Sequence, residues 1–168
     1  MARIFACELP PHALLARYRE SGAYTDCYTT TVARRVDQAR YVEAFYTTPL
    51  FKAERLLLAW FAGRPSTDSE AWRLATGEIS TFAAWTVEER LSDQILLCDF
   101  SGDTRSWLMS AKGTMGRSPA TLLFFGSAIV PRRGHDSISA GYRALLGLHR
   151  LYSQALMRSA VNALGGET

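Results

Sequence analysis

Three ionisable side chains fall where the pattern of this 168-residue chain calls for hydrocarbon. Arg105 stands in the strand-like run 104–113, on the alternating face that also carries Trp107 and Met109. Pairing the runs 81–91, 94–100 and 104–113 through two-residue turns at Ser92–Asp93 and Gly102–Asp103 puts Glu89 on that same face, with Trp85, Val87, Leu91, Leu96, Cys98 and Phe100. His149 lies four residues after Leu145 and three before Tyr152, inside the apolar stripe of a long C-terminal helical segment. A charge buried without a partner costs several kcal/mol, so these groups must reach water, one another or a ligand. An arginine can neutralise an anion, and a carboxylate or imidazole can move a proton. Aromatic walls with a few converging polar groups are the usual form of a small-molecule site. The candidate ligand-binding set is therefore Trp85, Glu89, Arg105, Trp107, His149 and Tyr152.

Each member also has a plainer reading. Arg105, beside a turn, can lay its stem along the sheet and keep its head in water. Glu89 can point to solvent at the rim, His149 can be a satisfied core histidine, and Trp85, Trp107, Phe100 and Met109 fill a core by default. Gly141 and Gly147 sit within the helical pattern, where each costs about 1 kcal/mol against alanine. They either permit a close approach or mark a break.

Other motifs carry less. Asp99 and Asp103 are two carboxylates near a turn, but the hairpin register places the first on the outer face and the second in the turn itself. The serines of "GRSPATL" and "GSAIVPRRGHD" lack the nucleophile-elbow pattern, and no phosphate loop or dinucleotide fingerprint is present. Cys7, Cys27 and Cys98 are odd in number and form no CxxC pair, which indicates neither a metal site nor a disulfide framework and suits a reducing cytoplasm. No cofactor is expected.

The composition is that of one globular domain: 48% hydrophobic and 21% charged residues over 1–168. The net charge of +3 comes from 17 Arg and 2 Lys against 16 acids, scattered so that only Arg34–Arg35 and Arg132–Arg133 are adjacent. A nucleic-acid binder would show a basic stripe with interleaved aromatics, so no nucleic acid is expected. No apolar run reaches about 18 residues, so no membrane span is expected, and the N-terminus lacks a signal-like apolar stretch. The expected location is the cytoplasm.

The elements that must position the candidates follow from period and punctuation. Pro10–Pro11 and Gly22 bracket a short helix, and the Tyr/Thr-rich run 24–33 reads as a strand. Asp37 caps a helix to about Tyr46, Thr48–Pro49 restarts one that ends at Gly63, and Thr67 with Glu70 forms a capping box before a third. The three period-two runs follow, then "ATLLFFGSAIVP" (120–131), apolar on both faces and so a strand inside the sheet or in a second contact. Residues 139–164 make the closing helix, with the stripe Tyr142, Leu145, Leu148, Tyr152, Ala155 and Leu156.

That order of elements, together with "TTPLFKAERLLL" and "LLFFGSAIVP", resembles the START-like (helix-grip, polyketide cyclase/lipid transport) superfamily and its bacterial members. The resemblance implies an α+β fold in which a curved antiparallel sheet wraps the long C-terminal helix, with short helices between the first strand and the rest. It covers 24–164 as the helix-grip core, leaving 1–23 as an N-terminal extension. Five strands are evident here against the six or seven usual there, and an NTF2-like cone is the second fold. The expected function is binding of an apolar or aromatic small molecule, lipid-like or polyketide-like, between sheet and helix. One alternative is an enzyme using Glu89 or His149 as acid or base in cyclase- or isomerase-like chemistry, with Arg105 stabilising an anion. Another is a homodimer formed through exposed Ile95, Leu97 and Leu108 on the back of the sheet.

Overall fold

Local signals set most element boundaries. The computed structural model describes residues 3–63, 65–130 and 140–165, with side chains for all of these except 54, 57–62 and 140–149. A two-residue strand β1 (Phe5–Ala6) and a five-residue helix α1 (Ala16–Glu20) precede strand β2 (Tyr24–Val32). Helix α2 (Gln38–Tyr46) starts where expected, Asp37 accepting the Arg40 amide at 2.8 Å. Helix α3 (Pro49–Ala62) is opened by Thr48, whose hydroxyl accepts the Phe51 amide at 3.1 Å. The Thr67–Glu70 capping box opens α4 (Asp68–Thr76), and Gly77 closes it in the left-handed conformation at φ 87°.

The remaining strands are β3 (Thr81–Phe82), β4 (Trp85–Arg90), β5 (Gln94–Asp99), β6 (Thr104–Met115) and β7 (Ser118–Ile129), followed by helix α5 (Ala140–Gly165). All seven strands form one antiparallel sheet in the order β1-β2-β7-β6-β5-β4-β3. The α+β reading holds, and two strands exceed the expected five. β1 lies in the N-terminal extension. β3 is the start of the run 81–91, split off where Ala83 takes φ 51°. The β6–β7 hairpin also runs further than its apolar pattern suggested. Met115 pairs with Ser118 across a two-residue turn, opened by Gly116 at φ 62°.

The expected meander forms with a different register, and the difference moves the candidate site. Near the Ser92–Asp93 turn the pairing is as expected, Arg90 opposite Ile95 and Glu89 opposite Leu96. A β-bulge at Glu88 then puts Val87 opposite Leu97 and Trp85 opposite Asp99. One extra residue in one strand reverses the facing of everything beyond it. Trp85 and Val87 therefore point to the side opposite Cys98 and Trp107, contrary to the shared face expected for Trp85, Cys98 and Trp107. The β5–β6 connection has four residues rather than two, pairing Cys98 with Arg105 and Leu96 with Trp107. This shift of two preserves the facing, so Arg105, Trp107 and Met109 do stay together.

The face that meets α5 is the other one. Ile95, Leu97 and Leu108, expected to be exposed on the back, are fully buried in the main core with Leu123, Phe125, Tyr41, Phe45 and the α5 residues Leu156, Met157, Ala160, Val161 and Leu164. That burial rules them out as a surface patch for a dimer. Trp107, Met109 and Leu96 instead form a second core with Leu9, Ala13, Leu14, Leu15 and Ala16 of the N-terminal extension. Helix α5 lies against α2, α3, β2 and β7. Its buried stripe is Ser153, Leu156, Met157, Ala160, Val161 and Leu164 at helical spacing, with Tyr152 partly buried at the side. Tyr142, Leu145 and Leu148 of the expected stripe have side chains outside the described residues.

Candidate functional site

Between the gripping face of the sheet and α5 lies a cavity of about 280 Å³. Its walls are aromatic: Phe45 and Phe51 from the first two long helices, Phe125 from β7, Trp85 from β4 and Tyr152 from α5. Phe100, 59% exposed in the β5–β6 loop, stands at the rim. The space exists because small polar residues occupy facing positions. Ser106 and Ser127 are directly opposed across β6 and β7, and Ser153 replaces hydrocarbon in the α5 stripe. Large side chains around small ones leave a void that close packing would otherwise remove.

Most of the polar groups here already have partners. The Ser106 and Tyr46 hydroxyls are 3.2 Å apart. Ser127 donates from both its amide and its hydroxyl to Asp26 Oδ1, at 3.1 and 2.5 Å. Asp99 Oδ1 accepts the Thr104 amide at 3.0 Å and its Oδ2 accepts the Ser101 hydroxyl at 2.6 Å, so this carboxylate shapes the β5–β6 loop. The register places Asp99 on the gripping side, at the cavity, correcting its expected outer position. Two buried polar atoms on the cavity walls have no hydrogen-bond partner among the described residues: Trp85 Nε1 and Ser153 Oγ, the latter in a residue only 1% exposed. Buried polar groups are nearly always satisfied, and an exception calls for an explanation.

The six sequence candidates divide between two places. Trp85, Tyr152 and Arg105 border the cavity. Glu89 and Trp107 do not; they lie on the outer face with the Arg105 head group. His149 falls in α5 with its side chain outside the described residues. Arg105 Nε donates to Glu88 Oε2 at 2.7 Å and to the Tyr18 hydroxyl at 2.8 Å, its Nη1 donates to the Gly102 carbonyl at 2.8 Å, and the guanidinium lies 4.7 Å from the Tyr18 ring centre. The bulge aligns Glu88 and Glu89 on this side, where Tyr18 donates to Glu88 and Arg17 pairs with Glu89. Burial first, and then the bond to Glu88, raise the Tyr18 hydroxyl above its usual titration range, keeping it a donor. The polar residues singled out by their apolar surroundings thus fasten α1 to the sheet.

Trp107 is fastened in the same way. Its Nε1 donates to Gln94 Oε1 at 2.8 Å, the same oxygen accepts the Leu14 amide at 3.0 Å, and Gln94 Nε2 donates to the His12 carbonyl at 3.0 Å. Sequence reasoning missed the cavity residues Phe45, Phe51, Phe125 and the three serines. The signal available was the alternation Ser106–Leu108–Ser110 on one strand face, too little volume for an ordinary core position. Among the described residues no group of three or more His, Cys, Asp or Glu side chains is placed to hold a metal ion, and no helix is long and apolar enough to cross a membrane. The sequence matches no known family model and no curated protein.

Proposed function

We propose that this protein binds an uncharged, compact aromatic or apolar small molecule between its sheet and α5. The observation that carries the reading is an aromatic-walled cavity bearing two buried, unpartnered polar atoms, Trp85 Nε1 and Ser153 Oγ. A ligand carbonyl or hydroxyl within reach of both would satisfy an indole donor and a serine hydroxyl that can turn about its side-chain bond. At about 280 Å³ the space stands at the lower end of small-molecule sites. Such a space suits a fused-ring molecule rather than a long acyl chain. The described cation and carboxylate at the wall are engaged: Arg105 with Glu88 and Asp99 with its own loop. An uncharged ligand fits this lining, and binding fits it better than acid–base chemistry.

The topology supports the same reading. A strand followed by consecutive helices, an antiparallel run whose last member pairs with that strand, and a closing helix over the sheet is the arrangement of START-like helix-grip carriers. The test uses 2-naphthol, an uncharged bicyclic with one hydroxyl, followed by its fluorescence and by native mass spectrometry. Saturable binding is expected. Trp85→Phe, which keeps a ring and removes the donor, should weaken it roughly 2- to 12-fold, the worth of one hydrogen bond. Ser153→Leu, which fills the cavity from α5, should weaken it more than tenfold. Equal binding by wild type and Ser153→Leu would refute the site, as would no saturable binding together with no retained ligand on the protein as purified.

A further inference from the structure

Cys7 and Cys27 are twenty positions apart with no motif joining them, yet the sheet brings their sulfurs to 3.2 Å. The β1–β2 register, Phe5 opposite Thr29 and Ala6 opposite Tyr28, extends to place Cys7 opposite Cys27, and the Cys7 amide donates to the Cys27 carbonyl at 2.9 Å. Hydrogen-bonded residues opposed in antiparallel strands have Cα atoms about 5.5 Å apart, inside the roughly 4.4–6.8 Å range that a disulfide spans. Closing the bond needs the sulfurs to approach by only about 1 Å, to the usual bond length near 2.05 Å. Cys7 is partly exposed and Cys27 buried, so one thiol is open to a reagent and the other waits behind it.

We propose that Cys7 and Cys27 form a reversible disulfide by exchange with a small-molecule disulfide such as oxidised glutathione. The Cys7 thiolate attacks one sulfur of the reagent, breaking its S–S bond; one glutathione thiolate leaves and is protonated. The Cys27 thiolate then attacks Cys7 Sγ in the mixed disulfide and expels the second glutathione. Two protein thiols are oxidised by two electrons, and one small disulfide is reduced to two thiols. Burial raises both protein thiols above their usual range, so the exchange is slow and begins at the more open Cys7. The link closes a covalent loop around residues 8–26. That loop carries Leu9, Leu14 and Leu15, which cover Trp107, and Tyr18, which holds Arg105. Oxidation therefore locks the N-terminal extension onto the outer face of the sheet.

The experiment incubates the folded full-length protein with excess oxidised glutathione, then alkylates free thiols and maps them by mass spectrometry. The expected product is lighter by two hydrogens, joins the Cys7 and Cys27 peptides, and leaves Cys98 alkylated. Its melting temperature should rise by roughly 6–12 °C, the effect of closing a loop of this length in a domain of this size, and dithiothreitol should reverse it. Cys98→Ser should behave as wild type, while Cys7→Ser and Cys27→Ser should show neither the link nor the rise. A stable glutathione adduct on Cys7, a link to Cys98, or full alkylation of Cys7 and Cys27 would overturn the pairing. A Cys7–Cys27 link without a rise in melting temperature would overturn the locking.

Discussion

Replacing Gln94 by leucine tests how the second core is held. The substitution keeps the size of a side chain that is 1% exposed but removes the acceptor shared by the Trp107 indole and the Leu14 amide, and the donor to the His12 carbonyl. Each buried donor left unpaired costs about 1–3 kcal/mol. The His12 carbonyl, nearer to solvent, can bond water instead. The expected loss is therefore about 2–6 kcal/mol, a large part of the ~5–15 kcal/mol that holds a typical domain. Urea titration followed by tryptophan fluorescence reads it as a lower midpoint at unchanged slope, and heating as a melting point lower by roughly 4–24 °C. A second substitution separates the mechanism from generic core damage. Trp107→Phe removes one of the two orphaned donors, so it should cost about 1–3 kcal/mol less in the Gln94→Leu background than alone. A loss below about 0.5 kcal/mol, the range of surface changes, would refute the reasoning. Strict additivity of the two substitutions would refute it equally.

Three further outcomes follow from the same geometry. Gly126→Ala should destabilise by about 1–3 kcal/mol in a denaturant titration, because a Cβ there would stand 2.8 Å from Leu15 Cδ2, 2.9 Å from the Asp26 carbonyl and 3.0 Å from Trp107 Cε3, and the carbonyl belongs to backbone that cannot step aside. Tyr18→Phe, which removes the hydroxyl between Arg105 and Glu88 while keeping the ring under the guanidinium, should cost about 1 kcal/mol by the same measurement. Asp68 is held below its usual range by Lys52 first and Arg55 second. A carboxylate with a depressed folded pKa contributes stability that is present above its unfolded value near 4 and is lost as the pH falls through the folded one. Asp68→Asn should flatten the acid limb of stability against pH, and an unchanged limb would show the ion pairs contribute nothing.

What was legible in the sequence was whatever depends on neighbours in the chain. The caps at Asp37, Thr48 and Thr67, the period-two runs, the closing helix and the co-facing of Arg105 with Trp107 and Met109 all follow from backbone geometry over a few residues. The face that receives α5 does not. Both faces of β5 and β6 are apolar because both are covered, one by α2 and α5 and the other by the N-terminal extension, and alternation alone cannot say which cover is which. A single bulge at Glu88 then carried Trp85 to the cavity and left Glu89 outside, an outcome no hairpin count contains. For the same reason the solvation argument about Arg105 identified a real need and the wrong partner. Its charge is met by Glu88 and by Tyr18, 87 residues away, and the meeting of Cys7 with Cys27 and of Ser106 with Ser127 is likewise the work of sheet register. Separations of that length are closed by the packing of the whole chain, and only the tertiary structure decides them.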